Sequence, residues 1–189
     1  GFVANNPQKL GGMLNAAACE KAAHFIARCD AFGIALVFLI DVPGFAIGPE
    51  AESAVMGRRS ARMIHEVGNA TVPRMSVVLR KGYGFAYYAM CGGRAFDADL
   101  ALAWPTAEIA AMSVEAAVDI AYAREIAKSD DPDARRALII GKFKQQRGAL
   151  RAAEHFGIDD VIDPRDTRRV LIRTLETCPT RRRLAQPPK

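Results

Sequence analysis

Apolar residues recur along the first half of the chain with two different periods, and each change of period marks an element boundary. From Asn15 to Phe32 the residues Ala18, Ala22, Phe25, Ile26 and Cys29 fall at helical spacing. They form one face of an amphipathic helix, and Gly33 stands where such a helix stops. The next segment, Ile34 to Ile40 (IALVFLI), is unbroken apolar sequence, which predicts a short strand buried on both faces. Asp41 and the Pro43-Gly44 pair then predict a tight turn. A helix with one apolar face is expected from about Ser53 to Val67, and Val72-Pro73 leads into a second buried strand from Arg74 to Leu79.

The second strand closes in Arg80-Lys81-Gly82-Tyr83-Gly84, and a helix of small residues opens near Phe85 and runs through Tyr87, Met90 and Cys91. A third strand, Leu100 to Trp104, is stopped by Pro105. Helices are predicted at about Val114 to Ala127, Pro132 to Gln145 and Ala149 to His155. After Gly157 the segment IDDVID precedes a last helix from Pro164 to Glu176, with Pro164 as its initiating residue. This alternation predicts an α/β fold, a parallel sheet with helices on both faces and right-handed crossovers. Residues 1–184 read as one domain and 185–189 as a mobile basic, proline-containing tail.

Composition narrows the picture only a little. The 189 residues are 50% hydrophobic and 25% charged, enough to bury a sizeable core. A net charge of +5 and a pI near 9.2 favour anionic ligands; coenzyme A phosphates fit, and so would nucleic acid. Much of the excess lies in Arg165, Arg168, Arg169, Arg173, Arg181, Arg182, Arg183 and Lys189, a solvated C-terminal stretch. Basic residues interleaved with exposed aromatics are lacking, which places nucleic-acid binding last. Cys19, Cys29, Cys91 and Cys178 lack the close spacing of a zinc or redox motif and read as buried, reduced thiols. No apolar run approaches the roughly 20 residues that span a bilayer, and the first residues lack the layout of a signal peptide. A cytoplasmic protein without membrane insertion is therefore expected. The start of the sequence, a glycine running directly into Phe2 and Val3, reads as the interior of a longer polypeptide.

The segment Gly82-Tyr83-Gly84-Phe85-Ala86 carries the chemistry. Glycines at a strand-to-helix turn let a ligand approach the backbone, and the first amides of the helix are left unpaired. Such amides can hold an oxyanion. The glycines would equally permit close helix-on-strand packing, and spacing alone does not separate the two readings. Asp41-Val42-Pro43-Gly44-Phe45 is a second turn after a buried strand, either a binding edge or an ordinary β-turn in which Asp41 bonds its own backbone. In a parallel sheet both turns lie at the carboxyl ends of their strands, where ligands bind. Tyr83, Tyr87 and Tyr88 cluster beside them. His24, His65 and His155 have no partners placed to form a triad or ligand set. Asp97 and Asp99 read as capping or solvated carboxylates, Trp104 as core, and Glu108 as either a pocket residue or a structural hydrogen-bond partner.

The segments FLIDVPGFAIG, ATVPRMSVVLRKGYGFAYYAM and LAWPTAEIAAMS resemble the C-terminal halves of the carboxyltransferase β-subunits of propionyl-CoA and acetyl-CoA carboxylases. Order and spacing agree from Gly1 to about Leu184. The resemblance implies a crotonase-type fold in which an N-terminal half binds acyl-CoA and a C-terminal half receives carboxybiotin from a biotin carboxyl carrier protein. Biotin carboxylase is a further partner it implies. It places the active site between halves of different subunits of a homo-oligomer, a dimer or a trimer of dimers, with no metal in this domain. In the family it resembles, the ureido anion left by carbon dioxide release can take the acyl-CoA α-proton, which implies that oxyanion donors matter more than side-chain acids. The family's biotin-side oxyanion pair falls on Phe85 and Ala86, preceded by Gly84. Gly44 and Phe45 join Gly84 as cofactor-binding candidates, and Tyr87 and Tyr88 are assigned to the substrate pocket. Three positions depart from the family pattern: Phe85 replaces a common glycine, Tyr88 takes the place of an acyl-selecting aspartate, and Met112-Ser113 stands for Met-Gly. Two alternatives remain: a self-contained crotonase-type hydratase or hydrolase of CoA thioesters, and a non-catalytic assembly module of a carboxylase complex.

Overall fold

A computed structural model of the chain describes residues 1–93, 98–145, 148–154 and 157–181. The strands are β1 (Phe2–Ala4), β2 (Leu36–Val42), β3 (Arg74–Tyr83), β4 (Leu100–Ala103), β5 (Glu108–Ala110) and β6 (Asp160–Val161). The helices are α1 (Ala16–Ala31), α2 (Pro49–Ser53), α3 (Met56–Asn69), α4 (Gly84–Ala89), α5 (Val114–Ala121), α6 (Ala123–Ala127), α7 (Pro132–Gln145), α8 (Ala149–Glu154) and α9 (Thr167–Thr177). Every strand pair described is parallel, in the order β1-β2-β3-β4-β6, with β5 beside the end of β3. The expected parallel α/β sheet is what forms.

The unbroken apolar run Leu36–Ile40 of β2, and Met75, Val77 and Val78 of β3, are explained by burial on both faces. Leu36, Phe38, Ile40 and Val42 point into a core shared with Ala23 and Ile26 of α1, Met63 and Val67 of α3, and Ala86 and Ala89 of α4. Val37, Met75, Val77 and Leu102 point the other way, against Leu171 of α9. A strand covered on both sides has no polar face to show, so alternation disappears. Trp104 packs against this second cluster and its Nε1 donates to Thr167 Oγ1 at 3.0 Å.

Boundaries moved where backbone bonding overrode the apolar pattern. Ile34 belongs to the end of α1 and not to β2: its amide donates to the Cys29 carbonyl at 2.8 Å, and its side chain is exposed. The helix expected over Ser53 to Val67 is α3, which starts only at Met56 because Val55 takes φ 56° and separates it from the short α2. The helix expected over Val114 to Ala127 breaks at Tyr122 into α5 and α6. The second strand does not turn at Arg80; β5 pairs with Lys81, Gly82 and Tyr83 and carries it to Tyr83. At three residues each, β1 and β5 are too short to show a period. Cys19, Cys29 and Cys91 are buried and Cys178 partly so; burial pushes the Cys19 thiol up to about 11. Asp99 acts as a cap, accepting from the Arg74 amide at 2.8 Å. Asp97, His155 and the tail at 185–189 lie outside the described residues.

Candidate functional site at the carboxyl edge of β2 and β3

Val42 of β2 stands opposite Gly82 of β3, so the two glycine-containing segments leave neighbouring strands side by side. Between the pairs Ile40–Val78 and Val42–Gly82, β2 advances two residues while β3 advances four. The surplus is a bulge, a device that bends a strand and re-aims the residues beyond it. Asp41 fills that bulge. Its carboxylate accepts from the Lys81 amide at 3.2 Å and from Arg80 Nη2 at 2.9 Å, and it pairs with Lys81 Nζ at 3.2 Å. Burial alone would raise its pKa, but the hydrogen bonds from Arg80 and Lys81 outweigh burial and hold the carboxyl below its ordinary value. Of the two readings of this segment, the one in which Asp41 bonds its own backbone gives way to a cross-strand clasp. The Asp41 amide in turn donates to Asn5 Oδ1 at 3.1 Å, which ties β1 to the same edge.

The tight turn expected at Pro43-Gly44 does not form; the chain beyond β2 runs on to a parallel bridge between Phe45 and Leu14. Leu14 donates to the Gly44 carbonyl at 3.1 Å and accepts from the Ala46 amide at 2.8 Å, and Phe45 is half-buried against the main core. Gly44 itself meets nothing within 4 Å of where a Cβ would stand, so its surface is open to a ligand.

At the first turn, Tyr83 ends β3 in extended backbone and Gly84 follows at φ 60°. A Cβ on Gly84 would stand 3.1 Å from the Ala111 carbonyl oxygen, so the turn requires glycine for both conformation and space. The amides of Phe85 and Ala86 come next, in the first turn of α4 before any intrahelical carbonyl can accept them. The Ala86 side chain is fully buried and the Phe85 ring is 62% exposed. Phe85 and Tyr88 form an exposed aromatic pair with ring centroids 6.2 Å apart.

Tyr87 does not line an open surface. It is buried, and its ring fills a slot made by glycines: a Cβ on Gly92 would fall 2.1 Å from its Cε2, and one on Gly82 would fall 2.9 Å from its Cδ2. Its hydroxyl has no hydrogen-bond partner among the described residues. Burial, with smaller contributions from Tyr88 and Cys91, pushes the phenol above the ordinary tyrosine range. Of the two tyrosines expected in the pocket, Tyr88 alone reaches the surface; Tyr87 supports α4 from beneath.

A cavity of about 530 Å³ lies between β1, the following loop and α1, with Phe2, Leu14, Ala22 and Phe25 in its lining, and adjoins the edge through Asn5 and Leu14. His24 also borders it. None of Gly84, Phe85 and Ala86 lines it.

The carboxyl transferase domain pattern matches residues 1–189, the whole chain. The chain belongs to the carboxyl transferase domain family. Among its relatives, the methylmalonyl-CoA carboxyltransferase 12S subunit of Propionibacterium freudenreichii subsp. shermanii is 45% identical over 183 residues, covering 96% of this chain and 35% of the relative. The propionyl-CoA carboxylase carboxyltransferase subunit of Haloferax mediterranei is 42% identical over 190 residues, covering 100% of this chain and 36% of the relative. A solved transcarboxylase 12S structure, described as a hexamer assembly with methylmalonyl-coenzyme A and methylmalonic acid bound, superposes with a TM-score of 0.91 at 44% identity. That superposition covers 100% of this chain and 36% of the solved one. The fold of this carboxyl transferase domain is accordingly crotonase-like, and the chain spans about a third of the length of the relatives it matches.

Two elements of the candidate site escaped the sequence. The Asp41 clasp had a faint signal, an acidic residue just past one apolar strand and two basic residues just past the next. Only register shows that they meet. The other is β5, whose first residue, Glu108, accepts from the Tyr83 hydroxyl at 2.6 Å.

Proposed function

We propose that this domain is the biotin-side half of an acyl-CoA carboxyltransferase. It receives the carboxyl group from carboxybiotin on a carrier protein and, with an N-terminal half, directs its transfer to the α-carbon of an acyl-CoA. The observation that carries this reading is the family match along the entire chain, together with the glycine-led amides of Phe85 and Ala86 at the carboxyl edge of the sheet. Carboxybiotin, when bound, supplies carbon dioxide and a ureido oxygen on which negative charge develops.

The residues present fit such a group. Gly84 removes the side chain that would crowd the approach, and the amides of Phe85 and Ala86 are the donors for the oxygen. A backbone donor of this kind is worth about 2.7–4 kcal/mol of transition-state stabilisation. A phenylalanine at position 85 keeps its amide as well as a glycine would, and its exposed ring can shield the site from water. Gly44 and Phe45, on the adjacent segment, form the facing wall. Tyr88, exposed beside Phe85, borders the acyl-CoA.

Relatives described as subunits of carboxylases, and the hexameric transcarboxylase core, support an oligomeric assembly for this domain; biotin carboxylase and a biotin carrier protein are the partners that the proposed reaction requires. The same reading places the protein in the cytoplasm; among the described residues no helix is long and apolar enough to cross a membrane. The test is reconstitution of the chain with an N-terminal half, biotin carboxylase, biotinylated carrier, ATP and labelled bicarbonate. Label should enter a CoA thioester in a biotin-dependent manner. An unlabelled product pool across short, branched and long acyl-CoAs would refute the assignment.

A further inference from the structure

We propose that Tyr83 and Glu108 are positioning residues for the oxyanion donors, an inference that rests on the function proposed above. Tyr83 is the last residue of β3 and sits directly before the turn, so rotation of its backbone swings Gly84 and the amides of Phe85 and Ala86 together. Its side chain is buried, and its hydroxyl donates to Glu108 Oε2 at 2.6 Å. The register makes this bond diagonal: Lys81 stands opposite Glu108 and Tyr83 opposite Ala110, so the phenol reaches back along β5 across the strand pair. The backbone of the same segment continues to Ala111, whose carbonyl lies against Gly84.

The turn is thus held from both sides. Asp41 fixes Lys81 from β2, and Glu108 fixes Tyr83 from β5. Gly84, with no side chain, offers little resistance of its own to rotation. Hydrogen bonds weaken steeply with misalignment, so a donor pair must be aimed as well as present. The Glu108 bond sets the position of the Tyr83 hydroxyl within its buried site, and a shift of the ring there is passed to the two amides that follow.

The experiment uses the reconstituted carboxylase with Tyr83→Phe, Glu108→Ala, Glu108→Gln and the Tyr83→Phe/Glu108→Ala double variant. Thr167→Val is the control, because it removes a buried-edge hydrogen bond to Trp104 on the other face of the sheet. Tyr83→Phe and Glu108→Ala are each expected to lower kcat about 10–100-fold, with KM for acyl-CoA changed less than about threefold, the signature of misplaced groups. Glu108→Gln keeps an acceptor for the phenol and should recover most of kcat, and the double variant should be no slower than either single one. Thr167→Val should lower Tm without lowering kcat. Wild-type kcat in Tyr83→Phe, or a loss of kcat that follows Tm across the set including Thr167→Val, would overturn the proposal.

A second readout needs no turnover. In the isolated chain the 15N amide resonances of Phe85 and Ala86 should shift in Tyr83→Phe and stay in place in Thr167→Val; unmoved resonances in Tyr83→Phe would overturn it equally. Should the unsubstituted assembly form no product, the carboxyltransferase reading fails, and the resonances still decide whether the pair positions the turn.

Discussion

The edge of β2 and β3 and the helical lobe of α5 to α7 are built from opposite materials. At the edge, small residues bring backbone against ring and backbone against backbone: Gly82 and Gly92 enclose Tyr87, Gly84 touches Ala111, and the buried Asp41 carboxylate binds the bulge in β3. The lobe has a satellite core of Val114, Val118 and Ile139, with Tyr122 and Phe143 in edge contact beside it. Exposed ion pairs, Arg136–Asp119 at 2.6 Å, Lys144–Glu115 at 2.6 Å and Arg135–Glu125, stitch its surface. The edge has no slack, because each close approach fixes the next. The lobe gains its order from a few apolar side chains and tolerates change in the residues that surround them.

Gly92→Ala tests the contrast at its strongest. The new Cβ would fall 2.1 Å from the Tyr87 ring and 2.5 Å from the Tyr87 carbonyl oxygen, so the ring and α4 must move. Overpacking of this kind costs about 3 kcal/mol or more when backbone must shift. Denaturant unfolding should show that loss, and a wild-type midpoint would break the picture of a tight edge.

Asp41→Ala should rank next, at about 1–3 kcal/mol, because it leaves the Lys81 amide and ammonium without their acceptor. Asp41 also sets a pH signature. Its folded pKa lies below the unfolded value of about 3.9. The stability it contributes is therefore present above that unfolded value and lost as pH falls through the lowered folded one. Below about pH 4 the stability gap between wild type and Asp41→Asn should narrow. A gap that stays constant through the acid range would remove Asp41 from the clasp.

Within the lobe, Val118→Ala removes two methyl groups from the satellite core, where Val118 is 1% exposed. The expected cost is about 1.5 kcal/mol, at roughly 0.8 kcal/mol per buried carbon group. Hydrogen exchange should locate the weakening in α5 and α7 and leave β2 and β3 protected. Arg136→Ala is the smallest perturbation. Its partner Asp119 is exposed, so Tm should not change within error at moderate salt. A clear drop in Tm would show that the lobe depends on its ion pairs after all.

The features that could be foreseen and those that could not divide along the same line. The strand cores at Leu36 to Ile40 and Arg74 to Leu79, and the apolar stripes of α1 and α3, announce themselves because burial repeats at a fixed period. Gly84, Phe85 and Ala86 could be marked as a candidate anion cradle from the glycine turn and from a family resemblance along the chain. Val55 in left-handed backbone carried no such mark, nor did Ile34, held by the end of α1. Tyr87 and Tyr88 are neighbours of the same residue type, and nothing in their order tells which is buried.

By itself the sequence determined the parallel α/β class, the family, and the turn at which the chemistry is proposed. The class and the turn depend on local backbone requirements and on the periodicity of burial, both of which are written residue by residue, and the family on the resemblance of long ordered segments. Tertiary structure alone decided that Asp41 reaches Lys81, that β5 extends β3 so that Glu108 meets Tyr83, and that Tyr87 lies under its glycines. Such contacts join residues far apart in the chain through strand register, and register is fixed only when the whole sheet assembles.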